Sequence, residues 1–312
     1  MRNTTENQWS ILISVQESDL KTWINNFLID RKAQNMAKGT IYFYKTKLEL
    51  FTKFCDSQSV DSIFQIDSNL IRQFLFHLEN TDHNAGGIHA CYRALKTFLN
   101  WWGYEVEPEN WKNPIRKVKS PMNPVEIKNP ANIDDIKAIL SNCSNNSLIG
   151  LRDKAILLFL LDTGVRAQEL LSLTYENINL VTGEVIIRLG KGRKQRIVYI
   201  GTKTKKHLKT YLRFRTDKSP ALWVTKDNEP LTYWGLKSMV KRRAKIVNVP
   251  PPEIHSFRRW FALTCLRSGM DVYSAQELMG HADLQIMKRY LKLTKTDLAQ
   301  AHRQVSPVDN IR

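Results

Sequence analysis

Residues 113–130 read NPIRKVKSPMNPVEIKNP, and this stretch decides how the chain is divided. It combines basic side chains with four prolines. Proline fixes its own backbone angle φ and has no amide hydrogen to donate, so a helix does not run through it. A basic stretch interrupted by prolines is typical of an extended linker. The sequence therefore predicts a linker over 119–130 between an N-terminal domain, 1–118, and a second domain, 131–312.

Ahead of the linker, apolar residues recur at helical spacing in four segments. We expect helices over 19–33, 40–55, 69–80 and 89–104, the second beginning with Thr40 as its N-cap. Four such helices predict a compact bundle. Trp101 and Trp102 lie in the last of them, and packing in the core is a better interpretation of both than contact with a binding partner.

The segment after the linker predicts a mainly α domain with a small antiparallel sheet, so the fold class of the chain is mainly α (α+β). The apolar alternation of GEVIIRLG (183–190) and QRIVYIG (195–201), joined by the glycine-flanked GKGRK, predicts a β-hairpin. Helices are expected over 132–143, 152–163, 166–173, 203–215, 231–247, 255–269, 274–280, 284–293 and 296–305. The helix over 152–163 is so apolar that we expect it to be buried.

Positive charge is concentrated in the second half. The 312 residues carry 47 Lys and Arg against 30 Asp and Glu, a net charge of +17. Of these, 16 basic and 14 acidic residues fall in 1–128, which leaves 31 and 16 for 129–312. Residues 185–216 hold eleven Lys or Arg and no acid. A solubility surface does not account for such a run, so a polyanion such as nucleic acid is the better prediction for a partner.

Several function classes find no support in the sequence. The four cysteines stand far apart without a CxxC pair, which is typical of reduced, mostly buried thiols rather than of disulfides or a metal site. A Walker-type phosphate loop, a Rossmann fingerprint and HExxH are all missing, so neither ATP, a metal nor any other cofactor is predicted. The N-terminus has no apolar segment of signal-peptide length, which favours an intracellular location.

Six residues in the second domain have side chains suited to phosphodiester chemistry. They are Arg166 in TGVR, Lys191 in GKGRK, His255 and Arg258 in HSFR, His281 in LMGH, and Tyr290 in MKRY. A phosphodiester needs charge neutralisation, an attacking hydroxyl and a proton donor for the departing oxygen. Taken singly, each has a simpler interpretation; for Arg166 it is an ion pair with Glu169. Their order and context together carry the prediction.

That order resembles the tyrosine recombinase, or phage-type integrase, family, in particular its simple Xer-like and mobile-element members. The resemblance covers essentially the whole chain: 1–118 resembles the core-binding domain, 131–312 the catalytic domain, and DLAQAHRQVSPVD (297–309) the C-terminal tail. It implies a cytoplasmic, nucleoid-associated enzyme that cleaves and rejoins DNA at specific sites. It also implies a homotetramer that exchanges C-terminal tails, and leaves open whether an accessory DNA-bending protein takes part.

The resemblance also implies a role for each residue. Tyr290 would attack the scissile phosphate, and Arg166 and Arg258 would hold its non-bridging oxygens. Lys191 would protonate the leaving 5′-oxygen, His255 would help accept the tyrosine's proton, and His281 would hydrogen-bond the phosphate. Arg193, Lys194 and Arg259 are the candidates for DNA contact; Arg259 stands where many relatives have a histidine. Two alternatives remain: a type IB-like DNA topoisomerase and a DNA-binding regulator without catalysis.

Overall fold

The computed structural model describes residues 19–123, 128–188 and 195–280, together with 302, 303, 306, 308 and 309 near the C-terminus. The chain divides into two compact units, Met1–Glu126 and Ile127–Arg312. The division falls within the predicted linker, and the domain limits 1–118 and 131–312 stay predictions. Each unit is described by itself below.

The first unit is the predicted helical bundle. Its helices are α1 (Leu20–Ala33), α2 (Lys38–Ser57), α3 (Ser68–Asn80) and α4 (Ala85–Val106), with 3-10 turns at Ile63–Gln65 and Pro114–Lys117. Asp19 and Asp67 cap α1 and α3 by accepting from the amides of Thr22 and Leu70. Phenylalanines from all four helices meet in the core, namely Phe27, Phe51, Phe74 and Phe98.

Two helix starts in this unit differ from the prediction. The N-cap at Thr40 is wrong: α2 begins at Lys38, its N-cap is Ala37, and the Thr40 amide lies inside the first turn, where it donates to Ala37 O. Nothing in Lys38 or Gly39 prevents the helix from extending backward. Helix α4 begins at Ala85 rather than at 89, because Asn84 caps it by accepting from the amide of Gly87.

The two tryptophans of α4 pack in the core, as predicted. Trp102 is fully buried, and its ring centroid lies 4.7 Å from that of Trp111. The Trp101 ring lies 5.3 Å from Phe27 and stacks on Phe98. These contacts account for both side chains without DNA.

The second unit consists of helices around one buried helix. Its elements are α5 (Ile133–Asn142), α6 (Leu148–Thr163), α7 (Ala167–Leu171), β1 (Glu184–Ile187), β2 (Arg196–Tyr199), α8 (Thr202–Phe214), α9 (Tyr233–Ile246), α10 (Ile254–Arg267) and α11 (Val272–Met279), with a 3-10 turn at Tyr175–Asn177. Helix α6 is buried along almost its whole length and packs against α8, α10 and β2. This confirms the burial predicted from its composition.

The predicted hairpin is confirmed in its two strands. β1 and β2 pair antiparallel, from Glu184 opposite Tyr199 to Ile187 opposite Arg196. Val185, Ile187 and Val198 turn inward to the core. The segment that joins the strands, 189–194, lies outside the described residues, as do 284–293 and most of 296–305.

The four cysteines are free thiols, as predicted, with Cys55, Cys91 and Cys143 buried and Cys265 partly so. Burial raises the pKa of Cys55 to about 12, which keeps it protonated and unreactive. In the described part of the chain no helix combines the length and apolar character that crossing a bilayer requires.

Candidate active site

Arg166 is placed by a tight turn at the end of α6. Gly164 ends that helix with φ at +58°, and a Cβ there would lie 2.5 Å from the ring of Phe261, so the position requires glycine. Arg166 then becomes the N-cap residue of α7. The turn thus directs a guanidinium out of the core at a helix start, with its side chain 35% exposed.

The ion pair expected for Arg166 is present. Its Nη1 donates to Glu169 Oε1 at 2.8 Å, and its amide donates to Glu169 Oε2 at the same distance. Its Nη2 donates to the carbonyl oxygen of Gly280 at 3.2 Å. Arg166 is therefore both paired with a carboxylate and turned toward the C-terminal end of α11.

Arg258 reaches the same place from α10. Its side chain is buried, with Nη1 donating to Gly164 O at 2.6 Å and Nη2 to Met279 O at 2.5 Å. The two arginines predicted to bind phosphate therefore meet neighbouring carbonyls of residues 279 and 280. Two guanidiniums from separate helices converge on one end of α11.

His255 lies three residues before Arg258 on α10, and its side chain reaches solvent. Partial burial lowers the pKa of His255, and the cations Arg258, Arg259 and Arg166 lower it further, against a smaller opposing effect of Glu253. The imidazole is therefore neutral at neutral pH and able to accept a proton. The HxxR spacing places a base and an anion-binding group in one site.

Arg259, predicted to contact DNA, is 9% exposed in this structure. Its Nε donates to the carbonyl of Asn129 at 2.8 Å, and its Nη2 to Glu253 Oε2 at 3.1 Å. Lys128 donates to the other oxygen of Glu253. Arg259 thus joins the start of the second unit to α10, and its contact with DNA stays a prediction.

The other predicted site residues lie outside the described residues: Lys191, Arg193, Lys194, His281 and Tyr290. The described residues next to these segments show where each segment begins or ends. The pair Ile187 and Arg196 closes the described end of the hairpin on either side of Lys191. Gly280 ends α11 directly before His281.

The structure adds two charged residues that the sequence analysis did not assign to the site: Glu169 as an organising group, and Arg196. The Arg196 guanidinium donates to both carboxylate oxygens of Glu169, Nη1 to Oε1 at 2.9 Å and Nη2 to Oε2 at 2.7 Å. One buried carboxylate thus receives four hydrogen bonds from two arginines. Burial alone would raise the pKa of Glu169, but the hydrogen bonds from Arg196 and Arg166 outweigh it and bring the pKa to about 2.

A signal for Arg196 was present in the strand pattern. Along β2 the inward positions alternate, so Arg196 shares the face of the buried Val198. A cation at an inward strand position must have a partner. The partner is 27 residues away in the chain, and only the tertiary structure identifies it.

Among the described residues of the basic run 185–216, two sets of cations differ in where they point. Arg196 and Arg215 turn inward, Arg215 to Asp217 and to backbone carbonyls. Helix α8 buries Thr204, Leu208 and Tyr211, while its opposite side exposes a row of cations. These exposed side chains are Lys203, Lys206, Lys209 and Arg213.

Together these features suit the second unit to a phosphodiester: two convergent arginines, a neutral histidine and a basic helix. Residues 132–297 match the model of the phage integrase family. Tyrosine recombinase XerD of Staphylococcus aureus is 27% identical over 281 residues, which are 88% of this chain and 94% of the relative. Tyrosine recombinase XerA of Pyrococcus horikoshii is 33% identical over 247 residues, 77% and 80% of the two chains.

Solved structures share the fold. The site-specific recombinase XerH bound to a palindromic difH substrate matches with a TM-score of 0.69 at 22% identity, over 89% of this chain and 82% of that one. A lambda integrase dimer bound to a COC′ core site matches with a TM-score of 0.72 at 15% identity, over 91% and 80%.

The chain belongs to the phage integrase family, as a tyrosine recombinase. It is an enzyme that cleaves and rejoins DNA at specific sites.

Proposed function

We propose that this recombinase cuts DNA through Tyr290, forming a 3′-phosphotyrosyl link and a free 5′-hydroxyl, without a metal or nucleotide. The observation that supports this most is the convergence of Arg166 and Arg258 on adjacent carbonyls of α11. The chain continues from there to His281 and Tyr290. A phosphate bound by these two arginines would lie close to the segment that carries the nucleophile.

The two arginines would act as phosphate clamps. A guanidinium has donors in a fixed fork, which suits the non-bridging oxygens of a phosphate and the charge that grows on them in the transition state. The 3.2 Å bond from Arg166 to Gly280 is longer than its 2.8 Å bond to Glu169. That N–H is the more weakly held donor, and the readier one to exchange its carbonyl for a phosphate oxygen.

Two further residues, His255 and Lys191, carry the protons of the reaction. In cleavage the phenol of Tyr290 loses its proton toward His255, whose lowered pKa leaves it neutral and able to accept. The bond from phosphorus to the 5′-oxygen breaks, Lys191 protonates that oxygen, and His281 hydrogen-bonds the phosphate. Rejoining reverses these transfers. The phosphotyrosyl bond keeps the energy of the cleaved phosphodiester, so no nucleotide is consumed.

Affinity for the duplex would come largely from backbone contacts. The exposed cations of α8 form a row suited to phosphates. Arg193, Lys194 and Arg259 would add further contacts with the DNA backbone. Such contacts strengthen binding without reading the base sequence. The site recognised on DNA then depends on base contacts from other side chains.

We propose further that the enzyme acts as a homotetramer on two duplexes, with exchange of the C-terminal tails, at nucleoid DNA in the cytoplasm. The DNA-bound lambda integrase dimer among similar structures supports an assembly of subunits on DNA. Leu298 and Val305 would form the apolar side of the exchanged tail. If removal of residues 295–312 left synapsis and cleavage unchanged, exchange of the tail would be wrong. An accessory DNA-bending protein is a further candidate partner.

The test uses nicked duplexes prepared from host genomic DNA. A nick beside the cut releases the 5′-hydroxyl fragment and traps the covalent complex. We expect an adduct with the wild type and none with Arg166→Ala, which should keep much of the DNA binding. Arg242→Ala, a change at an exposed arginine of α9, is the matched control and should form the adduct. Absence of any wild-type adduct would contradict the proposal.

The topoisomerase alternative makes a different prediction. Such an enzyme would relax any supercoiled plasmid as a monomer and would exchange no strands between defined sites. Exchange confined to specific sites supports recombination.

A further inference from the structure

Three consecutive carbonyls at the end of α11 each accept a hydrogen bond from a different arginine. Arg196 Nε donates to Leu278 O at 2.8 Å, Arg258 Nη2 to Met279 O at 2.5 Å, and Arg166 Nη2 to Gly280 O at 3.2 Å. The donors come from β2, from α10 and from the start of α7. Two of them are the proposed phosphate ligands; Arg196 is not.

This capping has a physical reason. The last carbonyls of a helix have no intrahelical partner and carry the negative end of the helix dipole, so cations are favoured there. Three neighbouring guanidiniums also repel one another. The carboxylate of Glu169 bridges Arg196 and Arg166 and offsets that repulsion. The end of α11 and the proposed phosphate-binding site therefore share one charged network.

Gly280 fits this network closely. Its φ is +61°, and a Cβ at this position would lie 3.0 Å from Cδ and Nη1 of Arg196 and 3.1 Å from its Nε. A side chain would therefore strain the backbone and press on Arg196 at once. Gly280 leaves room for the Arg196 side chain to lie against the helix end.

We infer that Arg196 is a positioning residue of the recombinase. It fixes the end of α11, and with it the chain entering His281 and Tyr290, relative to Arg166 through their common partner Glu169. Its side chain is 4% exposed, so it acts from beneath the site rather than on DNA. The inference rests on the proposed roles of Tyr290 and Arg166.

The first test compares Arg196→Gln with Arg196→Lys. A misplacement of about 1 Å costs up to about 100-fold in rate, so we expect Arg196→Gln to slow adduct formation by about 10- to 100-fold at saturating nicked genomic duplexes. Its DNA affinity should stay within about twofold of the wild type, because the removed group is buried. Lysine keeps the charge but loses the fork, and should restore part of the rate.

The control is Arg242→Gln, which removes the same charge from an exposed position and should keep the wild-type rate. If Arg196→Gln lost DNA affinity and cleavage in equal proportion, or matched the control in rate, the positioning role would be wrong.

Hydrogen exchange in the free protein tests the same inference without DNA. In Arg196→Gln, the loss of protection at amides of residues 272–280 should exceed the loss at amides of α6, whose exchange reports unfolding of the whole unit. Exchange at 272–280 that is as slow in Arg196→Gln as in the wild type would overturn the inference. If the wild type formed no adduct, the proposed function would fail while this measurement still reported on Arg196.

A double-mutant cycle checks the contact itself. Gly280→Ala should slow cleavage in the wild type, because its Cβ displaces Arg196. In an Arg196→Gln background the obstructed guanidinium is absent, so Gly280→Ala should cost several-fold less. If Arg196→Gln is too unstable to measure, the same cycle is run with Arg196→Lys in its place. Additive effects would show that the two residues act separately and would contradict the inference.

Discussion

Glu169→Gln should destabilise the second unit strongly, because this carboxylate is the common partner of Arg166 and Arg196. Its pKa falls from an ordinary 4.5 to about 2 in the folded chain. At about 1.4 kcal/mol for each pKa unit, the ionised form therefore contributes about 3 kcal/mol to folding. Glutamine keeps the shape, removes the charge and turns an N–H group toward guanidiniums that need an acceptor.

The pH dependence gives this prediction its sign. A carboxylate with a lowered folded pKa stabilises the protein above its unfolded pKa, and that stability is lost as the pH falls through the folded value. The difference between wild type and Glu169→Gln should thus be about 3 kcal/mol at pH 7, shrink below about pH 4.5, and nearly vanish near pH 2. Protonated Glu169 then resembles the glutamine.

The assay is denaturant-dependent hydrogen exchange at amides of α6, which lies in the core of the second unit and reports its unfolding free energy. Glu176→Gln is the matched control, because this glutamate is exposed and its change should stay within about 0.5 kcal/mol. A Glu169→Gln variant as stable as the control at pH 7, or a difference that persists undiminished at low pH, would refute the reasoning.

Two further predictions concern activity and binding. Since partial burial and nearby cations lower the pKa of His255, cleavage should rise with pH with a midpoint below the ordinary histidine pKa of 6.5. His255→Gln should remove this rise, and a wild-type midpoint above 6.5 would contradict the prediction. Lys209→Gln should weaken binding to all duplexes about equally and lower the slope of log affinity against log salt by about one. The control, Lys226→Gln, changes an exposed lysine outside the α8 row and should leave that slope unchanged. Equal slopes in the two variants would show that α8 does not contact DNA.

Local sequence signals predicted most of the architecture. Apolar spacing identified the helices of both units, and alternation identified β1 and β2. The errors lie at helix starts, where a single residue decides the first residue of the helix. Asn84 caps α4, but Gly86 and Gly87 shortly after it do not suggest a helix. Ala37 precedes α2 without any side-chain cap. Helix boundaries depend on such local bonds more than on periodicity.

The candidate site was predictable only in part. The contexts of Arg166, His255 and Arg258 identified them, and the structure brings all three to one region. The strand pattern marks Arg196 as an inward cation, but its pairing with Glu169 could not be predicted, because that depends on which strand face meets which helix end. For Arg259 the sequence predicted contact with DNA, and the structure shows hydrogen bonds to Asn129 and Glu253.

The central claim is that Tyr290 is the residue joined to DNA, and mass spectrometry of the trapped complex tests it most directly. Nicked genomic duplexes would be incubated with the full chain, the adduct digested, and the modified peptide sequenced. We predict a nucleotide attached through its 3′-phosphate to Tyr290, and no adduct from Tyr290→Phe. A nucleotide on any other residue, or an adduct that persists in Tyr290→Phe, would contradict the account.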